Sequence, residues 1–117
     1  MKQTIWNINE ILAIGENVIY ECVLEDENND KVINVYLTNH RIIWINDNFV
    51  DSHFLNSICK CGVFFGYEEY GETSDYGTGE YGVYFGDMSH YDTFWFYDVE
   101  VAKTFYLETT RVIIDIL

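Results

Sequence analysis

The side chains with the most chemical capacity in this sequence are carboxylates and phenols crowded into one stretch. No Lys or Arg occurs between Lys60 and Lys103, while Glu68, Glu69, Glu72, Asp75, Glu80, Asp87, Asp92, Asp98 and Glu100 do. Tyr67, Tyr70, Tyr76, Tyr81, Tyr84, Tyr91 and Tyr97 share the same region. Carboxylates pair with Arg and Lys through charge-assisted hydrogen bonds. Tyrosine supplies contact area at low entropic cost and is enriched at binding hot spots. The chemistry expected here is recognition of a cationic surface. The candidate partner-binding residues are Tyr67, Glu68, Glu69, Tyr70, Glu72, Asp75, Tyr76, Glu80 and Tyr81. The competing reading makes Tyr84, Trp95 and Tyr97 part of a sheet wall and the acids mere solubilising charge.

Other motifs fail on context. Gly77-Thr78-Gly79-Glu80-Tyr81-Gly82 matches the dinucleotide fingerprint literally. That fingerprint needs a buried parallel strand before it and a helix after it, and here an acidic loop and a strand flank it. A flexible loop is the expectation. Asp26-Glu27-Asn28-Asn29-Asp30 opens like a calcium loop, but Lys31 and Leu37 stand where glycine and glutamate are required. Cys59-Lys60-Cys61 places both thiols on one face of a strand, with His53 nearby. Structural zinc wants four ligands at wider paired spacings, so buried strand cysteines are expected. His40, His53 and His90 are scattered, and Ser52, Ser57, Ser74 and Ser89 lie in no nucleophile elbow. The sequence therefore assigns no catalytic residue, no metal ligand and no cofactor.

Six basic residues face twenty acidic ones in 117 residues, a formal net charge of −14. Such a field opposes direct nucleic-acid binding and docking to anionic membranes, both of which need Lys and Arg. It favours encounter with a basic protein. The composition is 49% hydrophobic and proline-free, enough for one core and without a Pro-rich linker, so one domain over 1–117 is expected. The first residues lack a signal-peptide core, and no stretch approaches the roughly 20 apolar residues of a membrane helix. Three cysteines suit a reducing cytoplasm. Self-association is left open.

The elements that must position these groups follow from periodicity. Residues 4–13 have helical spacing, with Thr4 as N-cap and Gly15 beyond the end. Strands are expected around 18–24, 33–37, 41–45, 49–54, 58–65, 81–85 and 93–97. Residues 66–82, with glycines every few positions, read as a long loop or irregular hairpin. Asp98 then caps a helix whose apolar stripe is Ala102, Phe105, Tyr106, Thr109, Val112 and Ile113. The order is helix, seven strands, helix.

Two segments carry a family resemblance. Ile14-Gly15-Glu16-Asn17-Val18-Ile19-Tyr20 is similar to the opening of bacterial PH-like and GRAM-like domains. Tyr36-Leu37-Thr38-Asn39-His40-Arg41-Ile42-Ile43-Trp44 resembles their most recognisable stretch, a strand that ends at Leu-Thr-Asn and restarts at Arg. Residues 93–106 resemble the last strand and closing helix more loosely. The resemblance implies an α+β, mainly β fold: a PH-like seven-strand antiparallel bent barrel capped by a C-terminal helix, with a short N-terminal helix. It also implies a lipid-binding or peripheral membrane module. Domains that hold phosphoinositides place Lys and Arg after the first strand, where this chain has residues 25–30, rich in acids. The expectation is therefore a non-catalytic inhibitor of a basic, nucleic-acid-handling protein, such as an immunity protein or a phage anti-defence protein. The lipid-binding module is its alternative.

Overall fold

The computed structural model describes residues 6–26, 31–47, 49–65, 73–87 and 89–117. Its elements are α1 (Ile8–Ile11), β1 (Val18–Asp26), β2 (Lys31–Thr38), β3 (Arg41–Ile45), β4 (Val50–Phe54), β5 (Lys60–Phe65), β6 (Thr73–Tyr76), β7 (Tyr81–Gly86), β8 (Tyr91–Phe96) and α2 (Val99–Ile116). The fold is α+β and mainly β. One sheet is the meander β1-β2-β3-β4, and the other has the order β5-β7-β8-β6. All pairings are antiparallel except β6 with β8, which is parallel.

Alternation sets which way each strand faces. Tyr20, Cys22 and Leu24 on β1 pair with Leu37, Val35 and Ile33 on β2 and point inward. Ile42 and Trp44 continue that face on β3, and Val83, Phe85, Phe94 and Phe96 answer from the second sheet. β3 is buried on both sides, since Ile43 and Ile45 are also covered. Trp44 lies at the centre, edge-on to Phe94 at 5.2 Å and to Phe85 at 5.9 Å. Each such pair adds about 0.5–1.5 kcal/mol to the burial itself. Helix α2 closes the core with Ala102, Phe105, Thr109 and Val112, the expected stripe, while Tyr106 and Ile113 pack at its margin. Asp98 caps it, accepting from the N–H groups of Glu100 and Val101.

Three expectations are corrected. The described residues hold eight strands rather than seven, because Thr73–Tyr76 pairs with β8 inside the segment read as loop. Tyr76 anchors that strand by packing against Trp44 and Phe94, so its glycine-rich surroundings did not prevent pairing. The N-terminal helix spans only Ile8–Ile11 and is capped by Asn7, while Thr4 lies outside the described residues. Gly15 follows in a turn at φ +81°, where the absence of a Cβ matters.

The run 77–82 is not one loop: residues 77–80 turn and 81–82 open β7, and its glycines are required by contact. A Cβ on Gly79 would lie 2.0 Å from the Phe96 carbonyl carbon, and one on Gly77 would lie 2.5 Å from the Trp95 oxygen. The turn lies directly against the β8 backbone. Gly62 and Gly82 serve differently, leaving room for the rings of Tyr84 and Phe64. Gly79→Ala must push β8 or the turn aside, so an unfolding midpoint in urea should report a loss of about 1–3 kcal/mol.

Candidate functional site

The two segments that carry the family resemblance meet in space, and one buried carboxylate joins them. Glu16 is 6% exposed. Its Oε2 accepts from Arg41 Nε at 2.9 Å and from the Thr38 hydroxyl at 2.7 Å. Its Oε1 accepts from Arg41 Nη2 at 3.0 Å and from the Ala13 N–H at 2.9 Å. Arg41 Nη2 also donates to the Ile11 carbonyl. Thr38 Oγ1 accepts the N–H groups of His40 and Arg41, which shapes the β2–β3 turn as expected of Thr38. Asn39 completes the joint: its Oδ1 accepts from the Asn17 N–H at 2.7 Å, and its Nδ2 donates to the Gly15 carbonyl. Burial would raise the Glu16 carboxyl, but the bonds from Arg41, Ala13 and Thr38 and the Arg41 charge outweigh it. They hold the group at about 2.

The acidic aromatic stretch is partly in view. Tyr67, Glu68, Glu69, Tyr70 and Glu72 lie outside the described residues. Asp75 and Glu80 are exposed. Tyr76 and Tyr81 are half-buried against the core, so both serve first as packing residues. Burial raises the Tyr76 phenol above its usual range. The Asp75 carboxylate accepts from Trp95 Nε1 at 3.1 Å, which orients it on the strand. Beyond it, Thr78 donates both its N–H and its hydroxyl to the Glu25 carbonyl, each at 3.0 Å. With the Thr78 proton so used, the Tyr97 hydroxyl is the donor in their 2.6 Å contact. The 77–80 turn is thereby fastened to the end of β1.

A second polar group was not foreseen. His53 Nδ1 lies 3.5 Å from Asp92 Oδ2, and His90 Nε2 lies 3.8 Å from Asp92 Oδ1. Ser74 Oγ is 3.0 Å from the same His90 Nε2. These are the residue types of a nucleophilic triad, but one imidazole nitrogen faces both serine and aspartate. A triad needs the opposite nitrogens, one to take the serine proton and one to be held by the acid. His53, 39 positions from Asp92, is brought to it only by the tertiary fold, which no local pattern encodes.

The cysteine expectation is corrected in part. Cys59 precedes β5 and is exposed, while Cys61 is half-buried. Burial pushes the Cys61 thiol to about 12, and burial together with the nearby Glu21 does the same for Cys22. Neither is a thiolate at neutral pH, the form a metal or an electrophile requires. His53 pairs with Asp92 rather than with the cysteines. Among the described residues no cluster of three or more His, Cys, Asp or Glu could hold a metal.

Among the described residues, each Lys and Arg whose side chain is described is engaged. Arg41 is paired with Glu16, Lys103 lies 3.8 Å from Glu100, and Arg111 lies 2.9 Å from Glu108. Lys60 sits 5.7 Å over the Tyr91 ring. By contrast Glu21, Glu25, Asp75, Glu80, Asp87, Asp98, Glu100 and Asp115 are exposed. No described helix is long and apolar enough to cross a membrane. No family model, curated protein or solved structure matches the chain.

The Glu16 carboxyl falls from 4.5 to about 2 on folding, so its stabilisation is present in full above about pH 4.5 and disappears as the pH drops through about 2. Glu16→Gln should cost on the order of 3 kcal/mol at pH 7. It should also flatten the acid limb of stability between pH 5 and 2, read by urea melts across that range.

Proposed function

We propose that this chain is a non-catalytic, acidic protein-binding module with a PH-like arrangement, acting as an inhibitor in a reducing cytoplasm. Its target is a basic, nucleic-acid-handling protein whose phosphate-binding surface it occupies. An immunity protein against a nuclease toxin and a phage anti-defence protein are the two forms this takes. The four-strand meander, the second sheet and the capping helix support the PH-like reading, as does the joint between Glu16 and the Thr38-Asn39-Arg41 turn. The parallel strand β6 is an addition to that arrangement.

The observation that carries the functional reading is the disposition of charge. Each cation whose side chain is described is already held by a carboxylate or stacked over a ring, while Glu21, Glu25, Asp75, Glu80, Asp87, Asp98, Glu100 and Asp115 face solvent. A phosphoinositide or nucleic-acid phosphate would find no free cation among them. A partner's Arg and Lys would find carboxylates beside tyrosines. The same disposition weighs against a lipid-binding module, which the family resemblance alone would favour.

The test is to capture a partner from a matching bacterial lysate at low salt and to ask whether added chain displaces nucleic acid from it. Displacement that weakens as salt rises, and association slowed several-fold by Glu80→Lys, are expected of electrostatic steering. Flotation with anionic vesicles at physiological salt would instead sustain the lipid reading and sink this one.

A further inference from the structure

The edge of β1 that faces away from β2 is unpaired along its middle. The carbonyl of Glu25 points outward, since it accepts from Thr78 rather than from β2. Antiparallel residues alternate between inward and outward backbone groups, so Glu21 and Val23 also direct their N–H and C=O outward. The first sheet ends at β1, and β1 and β8 belong to different sheets. No backbone bond from another described segment reaches Glu21 or Val23.

This edge borders an open groove of about 310 Å³. Its opposite wall is the passage from β8 into α2, with Tyr97, Asp98 and Val101. Glu21, Glu25 and Asp98 give the groove three carboxylates, and among the described residues no Lys, Arg or His lines it. Val23 is 47% exposed and Tyr97 42% exposed, so apolar contact is on offer beside the charges. Burial raises the phenol of Tyr20, which also lines the groove, and the nearby carboxylates of Asp98 and Glu108 add to the shift. An acidic groove along a bare strand edge selects a particular occupant. It must supply backbone donors and acceptors in extended form and carry positive side chains every second residue.

We propose that β1 takes up a short extended segment of a basic partner as an added strand, its Arg or Lys side chains meeting Glu21, Glu25 and Asp98. This rests on the acidic-module reading and names the place and form of contact. Strand addition draws affinity from main-chain hydrogen bonds and specificity from alternate side chains. The fastening of Thr78 to Glu25 sets where the added strand must stop. The outward-facing Glu21 and Val23, with the edge tied off at Glu25, leave room for a three- to four-residue strand, on the order of 10 Å.

The probe is a synthetic peptide of alternating Arg and Val, with a second version N-methylated on the amides that would face β1. Full-length chain should bind the first at low salt. The amide hydrogens of Glu21 and Val23 should then become protected from exchange, joining those of Cys22 and Leu24, which β2 already protects. The N-methylated peptide should bind about tenfold more weakly, having lost its main-chain donors to β1. Val23→Pro removes one outward donor without touching the ladder to β2 and should weaken binding similarly. Should that variant melt early, the N-methylated peptide on the unaltered chain decides alone. Equal binding of both peptides, or protection elsewhere on the surface, overturns strand addition and leaves the acidic-module reading intact. If the chain displaces nucleic acid from a basic partner yet ignores the Arg-Val peptide, this proposal alone falls. If it does neither, both fall.

Discussion

The Glu16 carboxylate is the constraint on which the first half of the chain depends. It is nearly excluded from water, and desolvation of an ion that size is expensive unless every lone pair is answered. Here the answers come from three places in the sequence: the Ala13 backbone, the Thr38 hydroxyl and the Arg41 guanidinium. The ion pair therefore fixes the approach to β1 against the β2–β3 turn, and through Ile11 it fixes the end of α1 as well. With β1 and the turn set, the ladder between β1 and β2 has its alignment, and Leu37 and Ile42 enter the core on the correct face. Removing one partner leaves the other buried and unpaired, which is why the pair specifies as well as stabilises.

This also accounts for what could be seen in the sequence. Strand β3 was legible to the residue, and α2 nearly so, because alternation and three-and-four spacing are local signals. The Gly15-Glu16 and Thr38-Asn39-His40-Arg41 segments were legible as a family resemblance, but their mutual contact was not. A bond between residues 25 positions apart leaves no periodic trace. The same limit hid the approach of His53 to Asp92.

Residues 73–82 depart from the expected loop for a different reason, and 66–72 lie outside the described residues. Frequent glycine signals weak structure only where nothing packs against the backbone. Gly77 and Gly79 instead allow the turn to lie on β8, and Tyr76 supplies the anchoring ring. Composition could not separate these cases, because the deciding neighbours, Trp95 and Phe96, arrive later in the chain. Tyr76 and Tyr81, candidate contact residues, are half-buried against core neighbours that are distant in sequence, which composition does not show.

The added strand has a consequence at the other side of the molecule. Strand β8 is flanked by β7 along its length and by β6 over Tyr91–Phe94, and it pairs with no strand of the first sheet. Among the described residues the two sheets therefore do not join through β1 and β8 into a hydrogen-bonded barrel. The glycine-rich stretch thus does two things at once. Its strand takes the edge of β8, and its turn ties off only the end of β1 through Thr78 and Glu25. What remains between is the bare, acid-lined edge at Glu21 and Val23. An exposed strand edge invites indiscriminate pairing, and charge is a common way to restrain it. Acidic side chains on and beside that edge repel a second copy of this acidic chain while admitting a cationic strand, so the charge that guards the edge also chooses its partner.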